Sequence, residues 1–246
     1  MCIRDSERGK ASPCLFHNKE KELRAVVHGD DFTVLAEHGE IDWLCKYLGS
    51  KLKVKLRGIL GPDPSDMKQI TILNRIVTWN KYNLTFEADT RHGEILVNTI
   101  LEASCNSVVT PGTDDTVEHE CTYLEKQQAS LYRACAARAN FLAQDRPEIQ
   151  YSVKEICRGM SNPTTDDLIK LKRLARYLKG NPRCVFTWNF QKEPASLSVY
   201  GDSDWAGCKR TRKSTQGYVV YYGSHCVNTY SSTQATIALS SAEAEY

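Results

Sequence analysis

The sequence has 246 residues, of which 41% are hydrophobic and 25% are charged, a composition typical of globular proteins rather than disordered or fibrous ones. This length is enough for one large domain or two smaller ones. The net charge of +2 is too small to identify a nucleic-acid-binding protein, so local clusters of charge are the better guide.

Ten cysteines are scattered along the chain. No two have Cys-x-x-Cys spacing, and no pair of histidines completes a zinc pattern. We therefore interpret them as reduced thiols, with Cys135 and Cys157 as small core residues of helices. Since there is neither an apolar run long enough to span a bilayer nor a secretory signal, the sequence predicts an intracellular protein, cytoplasmic or nuclear, with no membrane partner.

Residues 1–6 do not fit the pattern that follows and are interpreted as an artefactual leader. From residue 25 to residue 36, two apolar runs flank Gly29, Asp30 and Asp31, which predicts a hairpin of two short strands with the aspartates at its tip. This tip is either an ordinary polar turn or a mount for a divalent cation, since adjacent carboxylates repel each other unless a cation lies between them.

Four features are predicted between the hairpin and the middle of the chain. Residues 40–48 have helical spacing of apolar side chains. Residues 51–57 alternate between apolar and basic side chains, which predicts a strand, most simply a solvated edge strand. A second strand is predicted over residues 70–79, and residues 111–120 are polar and acidic, typical of an exposed linker.

Three helices are predicted next, ending before Pro147, Pro163 and Pro182. The apolar face of the first is predicted to carry Leu131, Ala134, Cys135, Phe141 and Leu142. The second carries Ile149, Val153, Ile156 and Met160, and the third carries Leu168, Leu171, Leu174, Ala175 and Leu178. The other face of the third helix is basic, which is typical of a solvated face or of a contact with a phosphate backbone through residues such as Lys172 and Arg176.

Beyond residue 184 the pattern changes to four strands, and Ser240 with Glu243 then marks the start of a helix. Asp202 and Asp204 follow the second of these strands, and Glu243 and Glu245 lie on the helix. An aspartate at the end of a central strand and a glutamate on that helix could together hold Mg²⁺. The alternative is a surface turn and a helix-dipole role.

Several segments resemble the Pol polyprotein of copia-type LTR retrotransposons. They are Gly29-Asp30-Asp31; Glu87 to His92; Val108 to Pro111; Tyr132-Arg133; Asp145 to Ile149; Pro163-Thr164; Lys172 to Gly180; Asp202 to Gly207; Arg212 to Tyr218; Ser231 to Gln234; and Ala238 to Tyr246. His28 and Gly29 stand where many reverse transcriptases have an aromatic and a small apolar residue, and Glu148 stands where the family usually has aspartate.

The resemblance implies a mixed α+β or α/β fold: a partial reverse transcriptase palm and thumb-like region over residues 7–110, a helical connection over 111–183 and a truncated ribonuclease H-like domain over 184–246. It implies RNA-directed DNA synthesis and cleavage of RNA in RNA–DNA hybrids. Its implied partners are the hybrid and the DNA and RNA template–primer, with dNTPs for the full-length parent.

The site residues that the resemblance implies form two groups. Asp30, Asp31, Asp202 and Glu245 are the implied catalytic ligands of Mg²⁺ or Mn²⁺, and Asp204 and Glu243 are further candidates that belong to the same motifs. Arg212, Lys213 and Ser214 are implied nucleic-acid contacts. We expect both sites to be incomplete in this chain. The alternative is a non-catalytic nucleic-acid-binding remnant of a decayed element.

Overall fold

The computed structural model describes residues 6–113, 121–209 and 211–246. Most of the predicted leader and the larger part of the predicted linker lie outside these residues. The chain divides into two compact units, Met1–Gly58 and Ile59–Tyr246. Within the described residues it forms six α-helices and three antiparallel sheets, which confirms the predicted mixture of helix and strand. None of the described helices has the length and apolar character needed to cross a membrane.

The first unit is a four-stranded sheet with one helix. The strands are β1 (Glu7–Arg8), β2 (Leu15–Asn18), β3 (Leu23–His28) and β4 (Asp31–Leu35), paired in chain order, and the helix is α1 (His38–Gly49). Burial alternates along β3, where Leu23 and Ala25 face the core. They pack with Leu44 and Leu48 of α1, so the predicted helix and hairpin are both confirmed.

The predicted strand over residues 51–57 is wrong. These residues form no strand, and the apolar side chains Leu52, Val54 and Leu56 are all exposed. Alternation of apolar and basic residues favours an extended backbone, but a strand also needs a partner for its backbone hydrogen bonds.

The second unit begins with the strands β5 (Gln69–Ile72), β6 (Arg75–Trp79) and β7 (Asn83–Glu87). The single strand predicted over residues 70–79 is therefore wrong, because Leu73 and Asn74 turn the chain with φ of +50° and +64°. Strand β8 (Val185–Asn189) pairs with β7 and completes this sheet. It does not join the strands that follow it in the sequence.

Four helices form the main core of the second unit. They are α2 (Arg91–Ile100), α3 (Lys126–Leu142), α4 (Gln150–Arg158) and α5 (Thr165–Gly180). The predicted apolar faces of the helices now called α4 and α5 are confirmed. The predicted face of α3 is partly wrong: Leu131 and Phe141 are exposed, while Tyr132, Ala136 and Ala139 are buried against the other helices.

The last part of the second unit is an antiparallel meander of β9 (Leu197–Ser203), β10 (Thr215–Tyr222) and β11 (His225–Thr233), followed by α6 (Ser241–Glu245). The predicted meander and the helix start are confirmed. The spatial order is β11-β10-β9, so β9 is an edge strand of this sheet. The expectation that Asp202 ends a central strand is therefore wrong for the described residues.

Candidate active site

The loop between β9 and β10, which begins at Asp204 and ends at Ser214 and which we call the carboxylate loop, is organised by Asp204. Asp204 Oδ1 accepts hydrogen bonds from the backbone N–H of Thr215 at 2.6 Å and of Gly207 at 3.3 Å. The Asp204 N–H donates to the carbonyl of Thr215 at 3.0 Å. These bonds close the loop where β9 ends and β10 begins, so Asp204 holds the shape of the loop.

Ser214 is a structural residue of the same loop. It is fully buried, and its hydroxyl accepts a hydrogen bond from the N–H of Ala206, whose φ is +54°. Such a hydroxyl cannot reach a phosphate group, which corrects the interpretation of Ser214 as a nucleic-acid contact. Lys213 donates to the carbonyl of Ala235 at 2.6 Å, and the side chain of Arg212 is exposed.

Helix α6 brings Glu245 to the end of β9. Ser240 caps the helix by accepting a hydrogen bond from the Glu243 N–H, and Glu243 Oε2 accepts one from Leu239 at 2.7 Å. Glu245 Oε1 then accepts from the backbone N–H of Ser203 at 3.3 Å and from its hydroxyl at 3.1 Å. Glu243 therefore caps the helix, while Glu245 lies against the residue next to Asp202.

Asp202 faces a cleft of about 400 Å³ between the meander and the start of α4. Its carboxylate is exposed and has no hydrogen bond or ion pair with any described residue. Gln150 and Lys154 of α4 fix the other wall, because they donate to the hydroxyls of Thr229 at 2.9 Å and Thr215 at 2.7 Å. The cleft is open to solvent, and Asp202 is available to a ligand within it.

The first unit holds the other aspartates at the tip of the β3–β4 hairpin. His28 pairs with Asp31, and Gly29 has a φ of +61°, as the first central residue of a type II′ turn requires. Asp30 is exposed and has no partner among the described residues. Asp31 forms an ion pair of 3.1 Å with Arg57. Both side chains of that pair are largely exposed, so it holds Asp31 only weakly.

Carboxylate oxygens are the donors that Mg²⁺ and Mn²⁺ prefer, so the residue types at both sites fit these ions. At neither site do the described residues gather three ligating side chains. At the first site Asp30 and Asp31 are adjacent in the sequence, and at the second Glu245 is hydrogen-bonded to Ser203, the residue after Asp202.

The basic face of α5 mostly binds the chain itself. Arg176 donates to the carbonyl of Asn106 at 2.7 Å, and Lys179 donates to those of Ala103 and Cys105. Lys172 is exposed and has no partner within the described ranges. Arg176 therefore has an internal role that the sequence did not indicate.

Sequence reasoning also missed the pairing of Arg158 with Cys208. Arg158 Nη2 donates to Cys208 Sγ at 2.8 Å. Burial raises the pKa of the Cys208 thiol, but the nearby Thr211 and the hydrogen bond from Arg158 outweigh this effect and lower the pKa to about 7. Burial likewise raises the pKa of Glu155, and its ion pairs with Lys154 and Arg158 reverse that shift. No local sequence motif predicts the contact between Arg158 and Cys208, which are 50 residues apart.

Comparison with known proteins relates this mixed α and β chain to proteins encoded by transposons. The chain is 41% identical over 117 residues to the retrovirus-related Pol polyprotein from transposon RE1 of Arabidopsis thaliana. The aligned residues are 47% of this chain and 8% of the polyprotein. It is 31% identical over 163 residues to an uncharacterized mitochondrial protein of the same plant. The aligned residues are 65% of this chain and 66% of that protein.

A third relative is the secreted RxLR effector protein 161 of Plasmopara viticola, 36% identical over 102 residues, which are 41% of this chain and 70% of that protein. The chain is thus similar to retrovirus-related Pol polyproteins from transposons. It spans less than two thirds of the first relatives' own length. No family model and no solved structure matches it.

Proposed function

We propose that the chain is part of a copia-type reverse transcriptase and ribonuclease H, and that Asp202 and Glu245 serve the cleavage of RNA in RNA–DNA hybrids. The observation that supports this most is the position of Glu245, bonded through Oε1 to Ser203 beside the unpartnered Asp202. Two carboxylates from a strand end and a helix thus lie at one corner of the meander.

A pair of carboxylates can hold a magnesium ion when other oxygen ligands complete its coordination. Magnesium is usually held by one or two carboxylates together with substrate phosphates and water. When bound, it would supply an activated water and stabilise the charge that develops on the phosphodiester. Asp202 would provide oxygen ligands from the cleft and Glu245 from its edge, while Asp204 keeps the carboxylate loop closed and Glu243 caps α6.

We propose the corresponding role in RNA-directed DNA synthesis for Asp30 and Asp31. Asp30 is free at the tip of a hairpin whose register is fixed by the four-stranded sheet. In the full-length parent, template–primer and dNTPs would supply the phosphate oxygens that complete the coordination of the ion.

The test is cleavage of an end-labelled RNA strand in an RNA–DNA hybrid, with Mg²⁺ or Mn²⁺. We expect metal-dependent cleavage that Asp202→Asn and Glu245→Gln reduce to background. Asp42→Asn is the matched control, because Asp42 is an exposed aspartate of α1 in the first unit. Cleavage that survives both substitutions would contradict the proposal.

The second candidate is a non-catalytic nucleic-acid-binding remnant. The observation in its favour is that neither carboxylate pair gains a third ligating side chain among the described residues. Salt-dependent binding of the hybrid that neither Mg²⁺ nor Asp202→Asn changes, together with no cleavage, would favour this function.

A further inference from the structure

A second cleft of about 430 Å³ lies between α4, α5 and the carboxylate loop. We call it the basic cleft, because four cationic side chains line it. They are Arg158, Lys170, Arg173 and Lys209. Its wall opposite α4 and α5 is formed by the loop residues Gly207 and Cys208.

The acidic groups of the basic cleft are already engaged. Glu155 forms ion pairs with Lys154 at 2.9 Å and with Arg158 at 3.1 Å. Asp204 accepts the two backbone hydrogen bonds that close the carboxylate loop. Lys170, Arg173 and Lys209 have no carboxylate partner among the described residues, so the described lining carries more positive than negative charge.

Arg173 has a donor that nothing described satisfies. Its Nη2 donates to the Thr110 hydroxyl at 2.7 Å, whereas its Nε is buried without a hydrogen-bond partner. A buried charged donor without an acceptor is unfavourable. Arg173 also lines the cleft, so its guanidinium adds positive charge to it.

The basic cleft adjoins the cleft that contains Asp202. Tyr151, Asp204 and Thr215 line both of them. A polyanion in one cleft would therefore continue into the other across the carboxylate loop.

We propose that the basic cleft binds a backbone phosphate of the nucleic acid whose neighbouring phosphodiester lies at Asp202. The identity of the polyanion rests on the proposed function, whereas the anion site itself rests on the cationic lining. Lys170 and Lys209 approach the phosphate as point charges, and Arg173 donates from its guanidinium.

The first experiment measures binding of a fluorescent RNA–DNA hybrid in EDTA over a range of salt concentrations. We expect the double variant Lys170→Gln/Lys209→Gln to bind more weakly and to lower the slope of log K against log salt by about one, the value for one phosphate contact. Lys192→Gln is the matched control, because Lys192 is exposed and lines neither cleft.

The second experiment uses inorganic phosphate as the probe and Cys208, in the wall of the basic cleft, as the reporter. At constant ionic strength, we expect phosphate to slow alkylation of Cys208 by iodoacetamide, as read by mass spectrometry. In the double variant, phosphate should not slow the alkylation of Cys208. Cys226 of β11 is the internal reference.

The two experiments separate the two claims. If no variant binds the hybrid but phosphate protects Cys208, the anion site stands and the proposed function fails. If the hybrid binds equally to wild type, double variant and control, and phosphate leaves Cys208 unprotected, the inference is overturned, and the proposed function, which is tested by cleavage, is unaffected.

Discussion

At the scale of the residue, Cys208 lies in the loop between β9 and β10 and accepts a hydrogen bond from Arg158 on α4. The pKa of this thiol is lowered to about 7, so more of it is thiolate at neutral pH than for an ordinary cysteine. The thiolate is the reactive form toward alkylating agents. Arg158 therefore controls the reactivity of a residue 50 positions away in the sequence.

We predict that Arg158→Gln raises the pKa of Cys208 toward the ordinary value of about 8.5, because the thiolate loses a charged donor. Alkylation of Cys208 at pH 7 should slow, and the midpoint of its pH–rate profile should move upward. The rate at Cys226 should not change. An unmoved midpoint would show that Arg158 does not stabilise the thiolate.

Leu73 is a residue in an unfavourable conformation. Its φ of +50° lies in the left-handed region, which costs a branched L-residue roughly 1–2 kcal/mol and which asparagine tolerates better. Its side chain is 42% exposed, so little apolar burial is lost when it is replaced.

We predict that Leu73→Asn stabilises the β5–β6 hairpin by about 0.5–1 kcal/mol, measured by urea unfolding. Ile237→Asn is the control, since it also removes an exposed apolar side chain from a segment without positive φ. A loss of stability in Leu73→Asn would mean that the side chain contributes more than its exposure indicates.

At the scale of the element, α5 depends on the cap at its start. The Thr164 hydroxyl accepts from the Asp167 N–H at 3.3 Å, and Asp167 Oδ2 accepts from the Thr164 N–H at 3.0 Å, which satisfies two donors reciprocally. The helix also carries the buried side chains Leu171, Leu174 and Leu178 into the core. The cap therefore supports the largest core of the second unit.

We predict that Thr164→Ala lowers the free energy of unfolding by about 1 kcal/mol, because the hydroxyl acceptor is lost. Thr164→Ser keeps the hydroxyl and should remain close to wild type. Equal unfolding midpoints for the alanine and serine variants would show that the cap is not important for stability.

At the scale of the whole molecule, the features predicted from the sequence are those set by local chemistry. Apolar spacing fixed α4 and α5, and Gly29 marked the turn that presents Asp30. Ser240 likewise indicated the start of α6, the helix that carries Glu245. Each depends on a preference that a few neighbouring residues express by themselves.

The features that the sequence did not predict depend on distant partners. Pairing of β8 with β7 joins strands about a hundred residues apart, and no pattern within either strand specifies it. The apolar face of α3 was misassigned because small buried residues such as Ala136 and Ala139 give a weak signal beside the exposed Leu131 and Phe141. The turn at Leu73 was not predicted, because leucine is not a residue that favours turns.

We propose that Asp202 and Glu245 bind a divalent metal ion together with nucleic acid. A titration with Mn²⁺ in the presence of an RNA–DNA hybrid, with free Mn²⁺ followed by electron paramagnetic resonance, measures this binding. We predict that Asp202→Asn and Glu245→Gln remove one class of bound Mn²⁺, whereas Asp42→Asn retains it. Identical binding curves for wild type and all three variants would contradict the account.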